Sequence, residues 1–347
     1  MAGRDGVVDL RSDTVTTPTP AMRRAMADAE VGDDAYGEDP TVARLEALAA
    51  DRLGTEAALY VTSGTMANQL GLRVLTRPGT EVLCAERAHV YRYERAATAG
   101  NAGVQLRPIP DPDGAFAPAA IDRAVADSGE HLPPLAAVTI ENPHMPASGR
   151  PWPAAEVAAV AGAAHDHGLP VHGDGARIWN AAIATGATAR ELCAPLDTVM
   201  FCLSKGLAAP IGSVLCGPRA AMDEAREQRA RLGGAWRQAG VIAAAGLVAL
   251  DTMVERLAED HARARRLADV LADRFPGSVD PTRVQTNIVC AGAERLPPDV
   301  VTRLAACGVL CGMIDAGTVR FVTHKDVDDA GLDRCVAALD TIREEEP

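Results

Sequence analysis

Aromatic residues are scarce in this sequence of 347 residues: they make up 3% of it, whereas hydrophobic residues make up 48%. A core large enough for a large and a small unit must therefore consist mainly of aliphatic side chains. Basic residues are also in the minority, with 34 Lys and Arg against 47 Asp and Glu and a net charge of −13. Because nucleic acids and anionic membranes bind to basic surfaces, neither is expected as a partner.

Long apolar runs are missing as well. The longest covers residues 239–250, which is too short to cross a bilayer and predicts a buried helix. The first residues of the sequence contain no apolar stretch typical of a signal peptide. None of the eight cysteines belongs to a CxxC pair, and several lie within apolar runs. We therefore expect reduced, buried thiols in a cytoplasmic protein.

Short apolar segments alternate with helical ones through the first 255 residues. This alternation predicts an α/β fold with a mostly parallel sheet that helices cover on both faces. The predicted strands are residues 57–64, 81–85, 136–142, 169–174, 197–204 and 213–217. Residues 1–20 are polar and rich in Thr and Pro, which predicts an arm rather than a core element. Residues 21–255 are then the large domain.

The composition changes near residue 255. Residues 253–275 predict one long, charged amphipathic helix. A strand at 286–291, a helix near 297–307, two further strands and a last helix from about residue 327 are expected after it. Residues 256–347 are therefore predicted to form a small C-terminal α+β domain.

Three chemically useful groups follow predicted strands. Asp174 comes at the end of one strand, Lys205 follows the next, and Ser63, Gly64 and Thr65 occupy a strand-to-helix turn. Each has an ordinary explanation when taken alone, as a turn residue, a solvated charge or a helix cap. Ligands of parallel sheets bind beyond the carboxyl ends of the strands, so the groups are expected in one crevice. Together they provide what pyridoxal 5'-phosphate (PLP) requires: an amine, an acid and an anion site.

The role of each group follows from its chemistry. Lys205 is predicted to hold the PLP aldehyde as a Schiff base, and Asp174 to keep the pyridine nitrogen protonated so that the ring acts as an electron sink. The helix that begins near Thr65 offers free backbone N–H groups to the phosphate. Ser204, next to the lysine, is expected to add a hydroxyl.

Several longer segments carry a resemblance to a known family. They include DLRSDTVT (9–16), DDAYGEDPTV (33–42), YVTSGTMAN (60–68), HGDGARIWNAA (172–182), LSKGLAAPIGS (203–213) and RFVTHKDV (320–327). Through them the chain resembles the low-specificity L-threonine aldolases, which belong to the beta-eliminating lyase and threonine aldolase group of fold-type I PLP enzymes. The resemblance implies a PLP-dependent transferase-like fold and a homodimer or homotetramer with shared active sites.

The resemblance also implies roles for residues at matching positions. His89 resembles an imidazole that stacks on the PLP ring, and Arg237 an arginine near the phosphate, across a subunit boundary. Ser63, Gly64, Thr65 and Ser204 match phosphate contacts. The groups that resemble a substrate carboxylate site are Ser12, Arg177 and Arg320, with Arg177 also near the cofactor oxygen, and Tyr36 is expected near the site.

The implied reaction is aldol cleavage of a β-hydroxy-α-amino acid such as threonine or allo-threonine to glycine and an aldehyde, with His144 or His89 as the base. The family usually reads ENTHN and then a Gly-Gly pair, whereas this chain reads ENPHMPASGR (141–150). Pro143 and Met145 thus replace a threonine and an asparagine, a change that bears on the β-carbon group. Transaldol transfer, β-elimination and racemisation remain open as alternatives.

A metal-dependent hydrolase is a more distant alternative. His165, His167, His172 and Asp174 stand close together in the sequence, and such residues are common metal ligands. The first two, however, end a predicted helix ahead of the strand. They should therefore lie at the opposite end of the sheet from Asp174, and no metal site is expected.

Overall fold

The structure is a computed structural model that describes residues 6–344. Its strands are β1 (Val8–Asp9), β2 (Ala57–Val61), β3 (Glu81–Ala85), β4 (Gln105–Ile109), β5 (Leu135–Glu141), β6 (Val171–Asp174), β7 (Thr198–Cys202), β8 (Ser213–Gly217), β9 (Ile288–Gly292), β10 (Val309–Leu310), β11 (Gly312–Asp315) and β12 (Thr318–Val322).

The α-helices lie between and after these strands. They are α1 (Pro20–Ala27), α2 (Pro40–Leu53), α3 (Gly64–Leu75), α4 (His89–Arg92), α5 (Pro118–Ala126), α6 (Ala154–Asp166), α7 (Ile178–Thr185), α8 (Ala189–Cys193), α9 (Arg219–Arg231), α10 (Gly240–Thr252), α11 (Leu257–Arg274), α12 (Val300–Ala306) and α13 (Asp329–Glu344).

Seven strands form the central sheet, in the order β2-β8-β7-β6-β5-β3-β4. The strands from β4 to β7 pair in parallel, whereas β8 runs antiparallel to both of its neighbours. The prediction of a mostly parallel sheet is confirmed. Strand β8 is the exception because only residues 203–212 connect it to β7, and a parallel crossover needs a dozen residues or more.

Helices cover both faces of this sheet, as predicted. In β7, Val199 and Phe201 belong to one hydrophobic cluster, which contains residues of α2, α7, α8 and α10. Met200 and Cys202 alternate with them and belong to another cluster, with residues of α3 and α9. The two-residue period of a strand thus separates the two faces. The apolar α10 packs on α1 and α2. None of the described helices is long and apolar enough to cross a membrane.

The C-terminal residues form an antiparallel sheet in the order β11-β12-β9, with α11 and α13 beside it. The predicted helix over 253–275 begins only at Leu257. Strand β1 pairs with β10, and Val8 and Leu10 are buried in the core of this unit. Val322 also donates a backbone hydrogen bond to Leu10 O at 2.8 Å. This part of the predicted arm is therefore a core element, because its apolar side chains fill the C-terminal unit.

Candidate active site

A cavity of about 280 Å³ contains five of the side chains that the sequence assigned to cofactor or substrate. These are Ser12, His89, Arg177, Lys205 and Arg320. The other described residues in its lining are Thr14, Tyr93, Met145, Met313 and Ile314. The cavity therefore joins residues that follow strands of the large sheet with residues of the N-terminal segment and the C-terminal unit.

Lys205 lies in the turn that follows β7, and its side chain lines the cavity. Its carbonyl oxygen accepts a hydrogen bond from Thr16 Oγ1 at 3.1 Å. The sequence contains only one other lysine, Lys325, whose ammonium pairs with Asp326. Lys205 is thus the one lysine placed to react with a ligand in this cavity.

Asp174 ends β6 and is buried. Its Oδ2 accepts a hydrogen bond from Asn68 Nδ2 at 2.8 Å, and its Oδ1 accepts one from the backbone of Ala176 at 3.1 Å. Burial alone would raise the pKa of Asp174, but the nearby His89 and Lys205 lower it below its ordinary value. The group is therefore a carboxylate at neutral pH, as a partner of a protonated ring nitrogen must be.

His89 begins α4 and faces Asp174 and a second buried acid, Glu94. A ring nitrogen of His89 and one carboxylate oxygen of each acid lie within 4.8 Å of one another. His89 Nδ1 is 3.0 Å from Glu94 Oε1. Burial alone would lower the pKa of His89, but the hydrogen bond to Glu94 and the charge of Asp174 raise it above its ordinary value. Glu94 therefore favours a proton on Nδ1, which leaves Nε2 as the basic nitrogen in the neutral ring.

Asn68 connects these acids to the interior of the sheet. Its Nδ2 donates to both Glu94 at 2.7 Å and Asp174 at 2.8 Å, so its Oδ1 faces His172 Nε2 at 3.0 Å. Burial lowers the pKa of His172 to about 4. His172 is therefore neutral, with its proton on Nε2, and Thr198 Oγ1 lies 2.9 Å from its Nδ1. The network holds both carboxylates in fixed positions.

Arg177 is held by a buried acid that sequence reasoning did not assign. Its Nε and Nη2 donate to the two oxygens of Asp13 at 2.8 and 2.7 Å. Asn287 Nδ2 donates to the same carboxylate at 3.2 Å. Burial alone would raise the pKa of Asp13, but Arg177 and Lys205 lower it well below its usual range. No described residue accepts a hydrogen bond from Arg177 Nη1, so this donor is available to a ligand.

Asp13→Asn is expected to raise the KM for the amino acid substrate about 10-fold or more and to change kcat less, because Arg177 loses the partner that orients it. Breaking the buried pair should also lower stability by about 3–5 kcal/mol. Asp260→Asn is a matched control, since Asp260 forms a similar pair with Arg256 at 2.6 Å outside the cavity. Steady-state kinetics and thermal unfolding of both variants test this, and an unchanged KM in Asp13→Asn would contradict it.

Arg320 lies on β12 beside the cavity. Its Nη2 donates to Arg11 O at 2.9 Å and its Nη1 to the weak acceptor Met145 Sδ at 3.4 Å. Its Nε is buried and has no hydrogen-bond partner in the described part of the chain. A buried donor without a partner is costly, so an anionic ligand at this guanidinium would be stabilising. The Ser12 hydroxyl lines the same cavity and accepts a hydrogen bond from Thr14 Oγ1 at 2.9 Å.

The predicted phosphate site lies at the start of α3. The helix begins at Gly64, and Ser63 Oγ caps it by accepting a hydrogen bond from Met66 N at 3.2 Å. A Cβ at Gly64 would lie 2.9 Å from Cys202 Sγ, at the end of β7. The helix terminus is thus in direct contact with the strand that leads to Ser204 and Lys205. Thr65 and Ser204 are half-buried beside it.

The cavity lining does not include Asp174 or the predicted phosphate residues, nor does it include His144, Arg237 and Tyr36. His144 is 1% exposed and its Nε2 is 2.7 Å from Asp111 Oδ2. The backbone bridge between His144 and Arg150 turns this ring away from the cavity, whereas the next residue, Met145, lines it. The side chain of Arg237 is 66% exposed and lies 3.5 Å from Asp33. Tyr36 is 79% exposed.

The four residues of the metal alternative do not come together. His165 Nε2 lies 2.9 Å from Asp197, next to the start of β7, and His167 lies 2.9 Å from Asp122. His172 is buried within β6. Asp174 is the last residue of that strand and so lies at the other end of the strands from Asp197. The geometry therefore does not support a hydrolytic metal centre built from these residues.

Asn68, Glu94 and Asp13 are the site residues that sequence reasoning left without a role. Each lies close in the sequence to a predicted site residue. Asn68 is one turn after the predicted phosphate turn, Glu94 is five residues after His89, and Asp13 is next to Ser12. This proximity was the available signal, but none of their partners could be identified from spacing alone.

The residues present fit PLP. They supply one accessible amine, a buried carboxylate that stays ionised, an imidazole next to that carboxylate and a helix N-terminus that contacts Cys202, three residues before the lysine. Lys205, Asp174 and His89 would hold the ring, and the start of α3 would hold the phosphate.

The sequence matches the beta-eliminating lyase family over residues 9–294. It is 43% identical over 338 residues to an uncharacterised protein of Caenorhabditis elegans, covering 95% of this chain and 82% of that protein. It is 38% identical over 328 residues to the low-specificity L-threonine aldolase 1 of Arabidopsis thaliana, covering 92% of each. The structure of a Leishmania major threonine aldolase superposes with a TM-score of 0.82 at 19% identity, covering 96% of this chain and 99% of that one.

These matches confirm the resemblance and the fold-type I architecture. The family match spans all seven strands of the large sheet and the N-terminal segment that carries Ser12 and Asp13. The chain therefore belongs to the beta-eliminating lyase family and, within it, to the low-specificity threonine aldolases.

Proposed function

We propose that this protein is a PLP-dependent lyase that cleaves a β-hydroxy-α-amino acid of the threonine or allo-threonine type to glycine and an aldehyde. The observation that carries the proposal is the cavity in which Lys205 and His89 lie together with two guanidinium groups that have donors to spare. An amino acid bound there would have its carboxylate at the guanidiniums and its α and β carbons between the amine and the imidazole.

Binding would depend first on the carboxylate. Arg177 offers Nη1, and Arg320 offers the buried Nε and the weakly engaged Nη1. Guanidinium groups suit a carboxylate because their donors are planar and paired. With Ser12 nearby, these contacts would fix the orientation of the Cα–Cβ bond before any bond breaks.

Proton removal from the β-hydroxyl is assigned to His89. Its Nε2 is the basic nitrogen when Nδ1–H donates to Glu94, and its ring lines the cavity. His144 is buried against Asp111 and is therefore not our choice for the base. When bound, PLP would supply an electron sink for the pair released as the Cα–Cβ bond breaks. Asp174 would maintain the positive charge on which that property depends.

Glu94→Gln is expected to lower kcat by about 10- to 100-fold, because the proposed general base, His89, loses the carboxylate at its Nδ1. The new amide is a weaker acceptor than the carboxylate, and in one of its two orientations its N–H groups would face His89 Nδ1 and Asn68 Nδ2, so the proton on Nδ1 is less favoured. Because Glu94 raises the pKa of His89, the acid limb of the kcat/KM profile should move to lower pH. A pH profile of the variant tests this; a purely structural role would lower activity without moving the limb.

The reaction is tested by incubating the PLP-loaded protein with threonine or allo-threonine and measuring acetaldehyde with a coupled alcohol dehydrogenase. Glycine and aldehyde should form in equal amounts. A keto acid with ammonia would instead indicate β-elimination, and an inverted substrate would indicate racemisation. With a second aldehyde present, acetaldehyde and a new β-hydroxy-α-amino acid without glycine would indicate transaldol transfer. Any of these results would overturn the proposed reaction.

We also propose a cytoplasmic homodimer or homotetramer with shared active sites. All eight cysteines are unpaired, which suits a reducing compartment. Arg237 and Tyr36 are exposed here, as is Ile211 in the loop after Lys205, and exposed apolar residues near a site are typical of an interface. In such an assembly Arg237 would reach the phosphate of a neighbouring subunit. Sedimentation velocity determines the number of subunits.

A further inference from the structure

The lining of the cavity contains side chains that the proposed function leaves unassigned. The proposed function assigns its charged members, His89 and Ser12 to the carboxylate, the cofactor or the β-hydroxyl, whereas Thr14 donates to Ser12 Oγ. The described residues that remain are apolar or aromatic: Tyr93, Met145, Met313 and Ile314. By elimination, these are the residues that the group on the β carbon would meet.

Met145 is fixed in position at the inner part of this surface. Its backbone N donates to Glu141 Oε1 at 2.8 Å. Its side chain is buried in a cluster with Ile288 and Val322, against which Tyr93 and Ile314 pack. The apolar lining is thus continuous with a small core and is not an isolated patch.

The same side chain lies next to the carboxylate site. Met145 Sδ is 3.4 Å from Arg320 Nη1. In an α-amino acid the β carbon is only two bonds from the carboxylate carbon. A substrate held by Arg320 would therefore place its β-substituent within reach of Met145.

Met313 forms the outer part of the surface. It lies on β11 and is 46% exposed, next to a bulge between Met313 and Asp315. An exposed methionine at a pocket is free to adjust to a ligand, because its side chain is unbranched and polarizable. The surface can therefore close over groups of different shapes.

We propose that Met145 and Met313 are specificity-determining residues, and that they select substrates whose β-substituent is apolar and larger than methyl. The inference rests on the proposed function, since it concerns the same cavity. The methyl group of threonine would cover little of this surface, whereas a phenyl or branched alkyl group would cover much more. One methylene in an apolar pocket changes kcat/KM by about 10-fold or more, so the preference should be easily measured.

The test compares kcat/KM for threonine, β-hydroxyleucine and β-phenylserine, with glycine as the common product. The wild-type protein should prefer both larger substrates to threonine by about 10-fold or more. Met145→Gln keeps the length of the side chain and removes its apolar character, and it should lower the phenylserine-to-threonine ratio at least about 5-fold. Met145→Leu, which stays apolar, should retain most of that ratio.

Controls separate specificity from loss of fold. Met313→Gln makes the same change at an exposed position and should shift the ratio in the same direction even if Met145→Gln fails to fold. Met26→Gln makes it on α1, outside the cavity, and should not shift it. Threonine preferred by the wild type, or a ratio that neither cavity variant changes, overturns this inference alone. No glycine from any substrate overturns the proposed function, and this inference with it.

Discussion

Lys205→Ala is expected to abolish turnover, by at least about 1,000-fold, and to remove the yellow colour of the PLP-loaded protein. Lys205 lies in the turn after β7 and supplies the only lysine amine of the cavity. The variant keeps the start of α3, the proposed phosphate site, so PLP should still bind, but without a covalent bond. Absorbance spectra and glycine formation measure both effects.

The composition of the chain makes this prediction unusually sharp. Lys325 is the only other lysine, and its ammonium pairs with Asp326. Lys325→Ala is therefore a matched control that should keep both the colour and the activity. Borohydride reduction of the PLP-loaded protein, followed by peptide mapping, should place the label on Lys205. A label on Lys325, or a coloured and active Lys205→Ala variant, would refute the role of Lys205.

Asp174→Asn should keep PLP bound and lower kcat by at least about 100-fold, the scale on which loss of one buried electrostatic partner acts. The cofactor nitrogen would lose the carboxylate that favours its protonated form. In one of the two orientations of the new amide, its NH2 group would face Asn68 Nδ2, and the hydrogen bond that Asn68 donates to Oδ2 would be lost. The expected result is thus a protein that retains Lys205 chemistry but releases little glycine.

Asp197→Asn is the control for this change. Asp197 lies just before β7, at the other end of the strands from Asp174, and its Oδ2 accepts a hydrogen bond from Val171 N at 2.7 Å. Loss of that bond should affect thermal stability and leave kcat near the wild-type value. Equal kcat values for Asp174→Asn and the wild type would show that Asp174 has only a structural role.

The sequence was a good guide to the large sheet because buried strands are short apolar runs between turn residues. Six of its seven strands were predicted in this way. The exception is β4, which contains Pro108, is partly exposed and lies at the sheet edge, so it has no apolar run to recognise. The antiparallel direction of β8 follows from the short connection between β7 and β8. The alternation of strands and helices alone does not reveal this direction.

Sequence position was a better guide to the candidate residues themselves than to the partners that hold them. Lys205 and Asp174 are marked by their positions after strands. Asp13, in contrast, stands next to Ser12, but its role depends on a contact with Arg177, 164 residues later in the chain. The direction of His144 is set by its backbone bridge with Arg150 and by packing against Asp111. Such contacts depend on the folded backbone, and residue type alone does not reveal them.

The pairing of the N-terminal segment with the C-terminal unit has a consequence for the order in which the protein would lose its functions on unfolding. Val322 N donates to Leu10 O, and Arg320 Nη2 donates to Arg11 O, so Ser12, Asp13 and Arg320 are carried by one hydrogen-bonded piece. Lys205 instead lies in the turn that follows β7 of the central sheet. In mild denaturant, loosening of the C-terminal piece would raise the KM while the cofactor colour persists, and colour would fade only when the sheet itself unfolds.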